Sequence, residues 1–378
     1  MNKTVIDKLI FGGYGLARTD QGVVFIPDVL PGETVEYCIE SLQQGVPVGR
    51  VLSINEKSKY RRTPDCKYSG ECGGCDWLFI DPQYQCECKK NIFIDCLTRI
   101  GKIRTIPQID MFTSPETAYR QRAQLKGDGH GTFGFYKKKT NEVVQIDTCP
   151  LLTGKCNDLL AAIQEKKNYT DKPVIKIIGG NSTVASDPVL RGVTLPETDL
   201  TVGQFTFRVH GGSFFQSNRF LAEVMGTWAS PYISGDFCVD LYGGTGFFSV
   251  MLNRMFKKGI LIESIKSQVE MAELNFRNNN CTHFSAVCCD AERMRNVVKG
   301  KPDVLIVDPP RPGLTKDVRK SILAAAPEQL LYISCNPSTQ ARDVNVLVNN
   351  GYEITHAALF DCYPNTYHIE SGLLLRKK

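Results

Sequence analysis

Cys335 ends the run Gln329-Leu330-Leu331-Tyr332-Ile333-Ser334-Cys335, and Asn336-Pro337 follows directly. Leu330 to Ile333 is a short apolar stretch of the kind that forms a buried strand; proline ends it by removing a ladder donor and fixing φ. The thiol is therefore expected at the carboxyl tip of a strand, where open α/β sheets place their ligands. Four acids follow strand-like runs in the same way. Phe237-Cys238-Val239 leads to Asp240, Ile260-Leu261-Ile262 to Glu263, Ala286-Val287-Cys288-Cys289 to Asp290, and Val304-Leu305-Ile306-Val307 to Asp308. A lone cysteine is more often a small buried hydrophobe than a nucleophile. Five successive strand tips carrying four acids and a thiol favour the nucleophile.

After Asp240 comes Leu241-Tyr242-Gly243-Gly244-Thr245-Gly246, a glycine-rich turn before a helix. Glu263 stands twenty residues beyond Gly243, an offset suited to a carboxylate that accepts from ribose hydroxyls. A dinucleotide site would need Gly-x-Gly-x-x-Gly and a pyrophosphate that Asp240 would repel. S-adenosylmethionine, cationic at sulfur and carrying an amino group, tolerates acids and is the expected cofactor. A methyl donor beside a thiol suggests methylation at C5 of a pyrimidine. C5 of uracil is a poor nucleophile. Thiolate addition at C6 makes C5 enolate-like, and a base must later remove the C5 proton so that the thiol can leave. Tyr363 to Ser371 offers that base, Glu370 first and His368 second. Gly212-Ser213-Phe214-Phe215-Gln216-Ser217-Asn218 supplies aromatics and an amide for gripping the cofactor and a base drawn out of its stack.

The elements that would position these groups change character along the chain. From about residue 207 strands and helices alternate, as in an open parallel sheet. Residues 1–55 read as short strands punctuated by glycine and proline, which suggests a small β-barrel of the OB type. That piece is close to neutral, with six Lys/Arg against seven Asp/Glu through residue 60. Next, Cys66-Lys-Tyr-Ser-Gly-Glu-Cys72-Gly-Gly-Cys75 brings three thiols within ten residues. Soft thiolates select zinc or an iron–sulfur cluster, and chemistry alone does not separate the two. Cys149, before Pro150, is the candidate fourth ligand. Cys86 and Cys88, two apart on an expected helix over about 82–100, are read as non-ligands. Arg120 and Arg122, and the run Phe133 to Lys139, interleave basic and aromatic side chains that suit phosphates and unstacked bases.

Composition sets outer bounds. Of 378 residues, 42% are hydrophobic and 22% charged, which is ordinary for a globular chain of two or three domains. No apolar run approaches the roughly 20 residues needed to span a bilayer, and the N-terminus lacks a signal-peptide core. A cytoplasmic, non-membrane protein is expected. Fifteen cysteines without a secretion signal argue for metal binding or catalysis over a disulfide framework. A net charge of +5 permits nucleic-acid binding without arguing for it.

Taken together these motifs resemble the RNA uracil-C5 methyltransferase family, in the type that combines a TRAM domain with an iron–sulfur cluster, like the 23S rRNA 5-methyluridine methyltransferases. The resemblance rests on Phe11–Arg18 and Phe25–Glu33, Cys66/Cys72/Cys75/Cys149, Phe214-Phe215-Gln216, Asp240-Leu241-Tyr242-x-Gly244-x-Gly246, Asp308-Pro309-Pro310-Arg311, Ser334-Cys335-Asn336-Pro337 and His368-x-Glu370. It implies a multidomain α/β chain in three parts: a TRAM-like RNA-binding barrel over 1–55, a small α+β iron–sulfur and RNA-binding domain over 56–80 and 115–206, and a class I, Rossmann-like methyltransferase domain over 81–114 and 207–378. It implies Cys335 as nucleophile, Glu370 as proton acceptor, and Gln216, Tyr242, Glu263, Asp290 and Asp308 around S-adenosylmethionine. Cys66, Cys72, Cys75 and Cys149 would hold a [4Fe-4S] cluster, and Arg120, Arg122 and Phe214 would meet RNA. The expected substrate is 23S rRNA, with tRNA uridine-54 the alternative and a monomer the expected state. An RNA-binding protein with a degenerate methyltransferase domain is the competing class, disfavoured by the intact nucleophile, base and acids. This chain departs from the family at Gly243, usually cysteine, at Phe247, often asparagine, and at Asp76-Trp77-Leu78-Phe79, where glutamines are common.

Overall fold

The fold is taken from a computed structural model, which describes residues 2–166, 169 and 171–378. Strands and α-helices are numbered in chain order. The first six strands are β1 (Asn2–Val5), β2 (Lys8–Leu9), β3 (Tyr14–Thr19), β4 (Gly22–Pro27), β5 (Thr34–Gln43) and β6 (Val46–Glu56). They form one sheet in the order β1-β5-β6-β4-β3-β2. β1 and β2 are two arms of one bent strand. At the bend Ile6 bonds to Glu33 on one edge and Asp7 to Leu16 on the other, so the sheet closes on itself. Alternate residues point inward to a small core of Ile6, Ala17, Val24, Ile26, Val29, Val35 and Tyr37. This β-rich N-terminal domain agrees with the strand pattern of the sequence.

Helix α1 (Pro82–Asp95) starts where the Asp81 carboxylate accepts from the amides of Gln83 and Tyr84, with Pro82 in the first turn. A π-helical turn over Cys96–Ile100 ends it. β7 (Ile109–Phe112) follows. β8 (Arg122–Gly127), β9 (Phe133–Tyr136), β10 (Val143–Gln145), helix α2 (Gly154–Lys166), β11 (Val174–Gly179) and β12 (Val184–Asp187) make a separate antiparallel sheet, ordered β10-β9-β8-β11-β12. Its core joins Leu125, Phe133, Ile175 and Ile177 to Leu159, Leu160 and Ile163 of α2.

β13 (Glu197–Val202) and β14 (Phe205–His210) pair residue for residue as a hairpin. Leu200, Phe205, Phe207 and Val209 share one core with Phe247 and Phe276 of the last domain. The hairpin thus crosses the cut at 206/207 expected from the sequence. β-pattern alone could not say which core its apolar face would join.

The remaining elements are helix α3 (Ala222–Thr227), β15 (Gly235–Leu241), α4 (Phe247–Met251), β16 (Phe256–Glu263), α5 (Lys266–Asn278), β17 (Phe284–Cys288), α6 (Met294–Val297), β18 (Val304–Val307), α7 (Lys316–Ala325), β19 (Gln329–Ser334), α8 (Pro337–Val348), β20 (Tyr352–Phe360) and β21 (Glu370–Lys377). The sheet order is β17-β16-β15-β18-β19-β21-β20-β7. β15 to β19 run parallel, and β21 inserts antiparallel between β19 and β20. The inner strands are apolar on both faces, as a sheet covered by helices on both sides requires. α1 packs into the same core through Ile92 and Phe93, the π-helical turn after it through Leu97, and β7 adds the edge strand beside β20. Among the described residues no helix is long and apolar enough to cross a membrane.

One buried charge pair binds α1 to the segment between β20 and β21. Lys89 Nζ lies 2.6 Å from Asp361 Oδ1, both side chains almost fully buried, and it also donates to the Tyr363 carbonyl at 3.0 Å. Removing one partner of such a pair leaves an uncompensated buried charge. Asp361→Ala is expected to lower stability by about 3–5 kcal/mol in urea denaturation, whereas the apolar double replacement Lys89→Met/Asp361→Leu is expected to lose clearly less.

Candidate active site

Cys335 occupies the corner between β19 and α8. Asn336 caps α8, its Oδ1 accepting from the amides of Ser338 and Thr339, and its Nδ2 donates to the Arg311 carbonyl at 3.1 Å. Asn-Pro therefore ends the strand, starts the helix and ties that start to the loop after β18. β19 and β21 are antiparallel with Ser334 opposite Ser371. Carrying that register one step further sets Cys335 opposite Glu370. Directly opposite residues share a face, with Cβ atoms about 4.5–5.5 Å apart. Ser371 Oγ donates to the Ser334 carbonyl at 3.2 Å and to Gln340 of α8, bracing the pair from behind.

The surroundings of this pair are acidic and poorly hydrated. Burial, then the charges of Glu370 and Asp308, push the half-buried Cys335 thiol up to about 12, against Arg311. Glu370 is buried, and burial followed by Asp308 lifts its carboxyl well above the carboxylate range. Burial and Asp240 raise Asp308 to about 7. His368 moves the other way, to about 4, because burial and the positive charges of Arg311, Lys89 and Arg120 disfavour imidazolium. Its ring packs 4.4 Å from the Tyr367 ring. At neutral pH the imidazole is thus uncharged and held among aromatics, while Glu370 faces the thiol.

The other strand tips converge on the same edge. Asp240, fully buried at the end of β15, accepts at Oδ2 from the Ser249 amide (3.1 Å) and hydroxyl (2.6 Å). Its Oδ1 has no partner among the described residues. Glu263 closes β16 and accepts from the Gly244 amide at 3.2 Å and the Ile265 amide at 2.9 Å, so it shapes the glycine turn directly. Within that turn Tyr242 (φ 64°) and Gly246 (φ 88°) are left-handed. A Cβ on Gly243 would lie 2.3 Å from Leu261 Cγ, so leucine fills the space that a larger residue at 243 would use. Asp290 is exposed, two residues beyond β17. Gln216 is buried, and its carbonyl accepts from Gln121 at 2.9 Å. Phe247 packs edge-on against Phe215 at 5.6 Å and links the glycine turn to the 214–216 loop.

The remaining candidates divide. Cys66, Cys72, Cys75 and Cys149 line one cavity of about 170 Å³, together with Arg120. Burial raises the thiols of Cys72, Cys75 and Cys149, and Arg120 opposes each shift. All four thiols are free. Among the described residues no three His, Cys, Asp or Glu side chains are close enough to hold one metal ion. Arg120 is thus turned toward the cysteines and not toward an open surface, and it precedes β8 instead of lying within it. Arg122 lies 5.4 Å over the ring of Phe214, which is 49% exposed. The sequence reading assigned nothing to Arg311, although it closes the Asp-Pro-Pro-Arg motif. It also missed Gln85, Lys89 and Asn365, whose contacts fix the segment before Glu370, because nothing in their local pattern distinguishes them from surface residues.

An open sheet with this order and an antiparallel strand beside the last parallel one is the class I methyltransferase architecture. A sequence model of the tRNA (uracil-5-)-methyltransferase family matches residues 196–378. An uncharacterized RNA methyltransferase of Aquifex aeolicus is 30% identical over all of this chain and 98% of its own length. The 23S rRNA (uracil(1939)-C(5))-methyltransferase RlmD of Legionella pneumophila is 29% identical, covering 98% of this chain and 96% of its own. The Pyrococcus abyssi tRNA (uracil-54, C5)-methyltransferase, solved with S-adenosyl-L-homocysteine, superposes with a TM-score of 0.77 at 22% identity, over 99% of this chain and 100% of that one. The chain belongs to this family of RNA methyltransferases.

Asp240 provides a test of the electrostatics. Burial holds its carboxyl at about 7, above the ordinary 3.8. A group raised in the folded state costs stability progressively as pH rises from its unfolded value through its folded one. Asp240→Asn keeps an acceptor for Ser249 and removes the charge. It is expected to stabilise the fold at pH 8 by up to about 4 kcal/mol, the advantage shrinking as pH falls from about 7 toward 5. Melting curves across that range check it; a pH-independent difference refutes the buried-charge account.

Proposed function

We propose that this chain transfers a methyl group from S-adenosylmethionine to C5 of a uridine in structured RNA, with Cys335 as nucleophile and Glu370 as proton acceptor. The observation that carries the reading is the β19–β21 register, which ends with Ser334 opposite Ser371 and so leaves Cys335 and Glu370, the next residue of each strand, close enough for the Glu370 charge to act on the thiol. Cys335 gives up its proton to solvent and adds as the thiolate to C6 of a flipped uracil, so that the C5–C6 electron pair moves into an enolate through C4 and its oxygen. S-adenosylmethionine, when bound, supplies an electrophilic methyl group. C5 then carries both the methyl group and its original proton. Glu370 takes that proton, the C5–C6 double bond re-forms, and the bond from C6 to Cys335 breaks. Glu370 must be in its carboxylate form to take the proton, and burial then makes that carboxylate a stronger base than an exposed one. His368, with its depressed basicity, is the weaker candidate.

Asp240, Glu263, Asp290, Asp308, Tyr242 and Gln216 would hold the cofactor. The unpartnered Oδ1 of Asp240 supports this, since a buried acceptor invites a donor such as the cofactor's ammonium group. The substrate is expected to be 23S rRNA, as for the Legionella relative over nearly full length. Transfer RNA is the second reading, favoured by the likeness to the Pyrococcus fold. Methylation of separated RNA classes decides between them. Cys335→Ala is expected to abolish methyl transfer. Glu370→Gln is expected to accumulate a covalent protein–RNA adduct seen as a slow-migrating band, and normal turnover by either variant would sink the covalent mechanism.

The four cysteines are proposed to bind a [4Fe-4S] cluster over a single zinc. Four thiolates on zinc, each at about 2.3 Å, must crowd around one point. The four thiols line one cavity, and soft thiolates of this number suit an iron–sulfur cluster. Anaerobically purified protein is expected to be brown and to contain iron and sulfide. Colourless protein with one zinc per chain would overturn the assignment.

A further inference from the structure

A second cavity, of about 320 Å³, lies where the N-terminal barrel, the cysteine loop and the Glu370-bearing segment meet. Its wall includes Gly13, Tyr14, Asp76, Tyr136, Lys139 and Tyr367. This volume falls at the small-ligand end of binding pockets, which begin at about 300 Å³. The walls are built, not incidental. The turn carrying Tyr136 and Lys139 is pinned to the cysteine loop by Gly73 N–H donating to the Tyr136 carbonyl (2.9 Å) and Lys138 N–H donating to that of Glu71 (3.2 Å). A Cβ on Gly13 would come 2.9 Å from Tyr367 Cδ1, so glycine at 13 lets the barrel loop lie on that ring. Phe11 meets the same ring edge-on at 5.9 Å.

The chemistry of the lining is that of a nucleotide site. Three tyrosines line it, with Lys126 5.1 Å over the Tyr136 ring, and stacking on aromatic rings is the common way of holding unpaired bases. Lys139, 5.3 Å over the Tyr14 ring, has its charge at the rim. Lys137 and Lys138 are engaged by Glu142 (3.6 Å) and Asp28 (2.6 Å), which leaves Lys139 for a phosphate. Among the described residues no hydrogen bond reaches the Asp76 side chain. A carboxylate only accepts, so the base edge it meets must donate. Guanine alone offers two adjacent donors, N1–H and the N2 amino group, matching both carboxylate oxygens.

We infer that this cavity binds an unpaired guanosine of the substrate RNA, one or two nucleotides from the methylated uridine. This rests on the RNA-methyltransferase reading above. Tyr367 is three residues before Glu370, at most about 10 Å along the chain. An occupied pocket would thus hold the strand while the target base enters the active site, and would select the sequence beside it.

The test is fluorescence-anisotropy titration of the full-length protein with a labelled oligouridylate and with the same oligomer carrying one G, A or C. The G-containing oligomer is expected to bind at least about fivefold more tightly than the others. Asp76→Asn, isosteric and half-buried, is expected to erase that preference with unchanged melting. Lys139→Ala, at an exposed position, is expected to weaken all oligomers alike and to reduce the slope of log affinity against log salt by about 0.7. No guanine preference in the wild type, or one that survives Asp76→Asn, overturns the proposal. Failure of the wild type to transfer labelled methyl groups to bulk RNA would count instead against the methyltransferase reading, and the oligomer titration would still judge the pocket.

Discussion

The segment from Asp361 to Ile369 is held from every side, and the geometry of the site depends on it. Lys89 of α1 binds Asp361 in the core. Asn365, left-handed at φ 67°, accepts at Oδ1 from Gln85 (3.1 Å) and Arg62 (2.8 Å), and its backbone bonds to Gln85 and Trp77. Tyr119 donates to the Pro364 carbonyl, and Asn218 to that of Cys362. Helix α1, the cysteine loop, the start of the middle sheet and the 214–218 loop therefore all set the path into β21. A buried ion pair contributes little net stability against an apolar replacement, because desolvation offsets attraction. Its effect here is on position: a densely bonded polar network restricts the arrangements of the segment, and the one it adopts leads into Glu370 beside Cys335.

The acids at the sheet edge raise one another. Asp240 lifts Asp308, and Asp308 lifts both Glu370 and Cys335. The thiol at rest is consequently a poor nucleophile. Arg311 opposes the upward shifts at Cys335 and Glu370 and adds to the downward shift at His368.

The departures at Gly243 and Phe247 have local explanations. Leu261 projects from β16 into the space beside Gly243, so a side chain at 243 would meet it. Phe247 belongs to an aromatic group with Phe207, Phe215 and Phe248. That group joins the β13–β14 hairpin to the glycine turn, so the turn is supported by aromatic packing.

Strand tips, the glycine turn and the cap after Cys335 are short-range features. Proline geometry, apolar runs and glycine spacing dictate them locally, so the parallel half of the sheet and its row of acids were legible residue by residue. The three-thiol loop was legible for the same reason. What distant pairings set was not. No local pattern specifies that Ser334 faces Ser371, that Arg120 turns toward the cysteines, or that the 197–210 hairpin joins the last core. Lys89 and Gln85 read as the polar face of a helix. Only the fold buries them against Asp361 and Asn365, because burial depends on which surface arrives from elsewhere in the chain. The sequence by itself determined which groups could react; the tertiary structure decided which of them meet, through register and a buried polar network that residues hundreds of positions apart complete together.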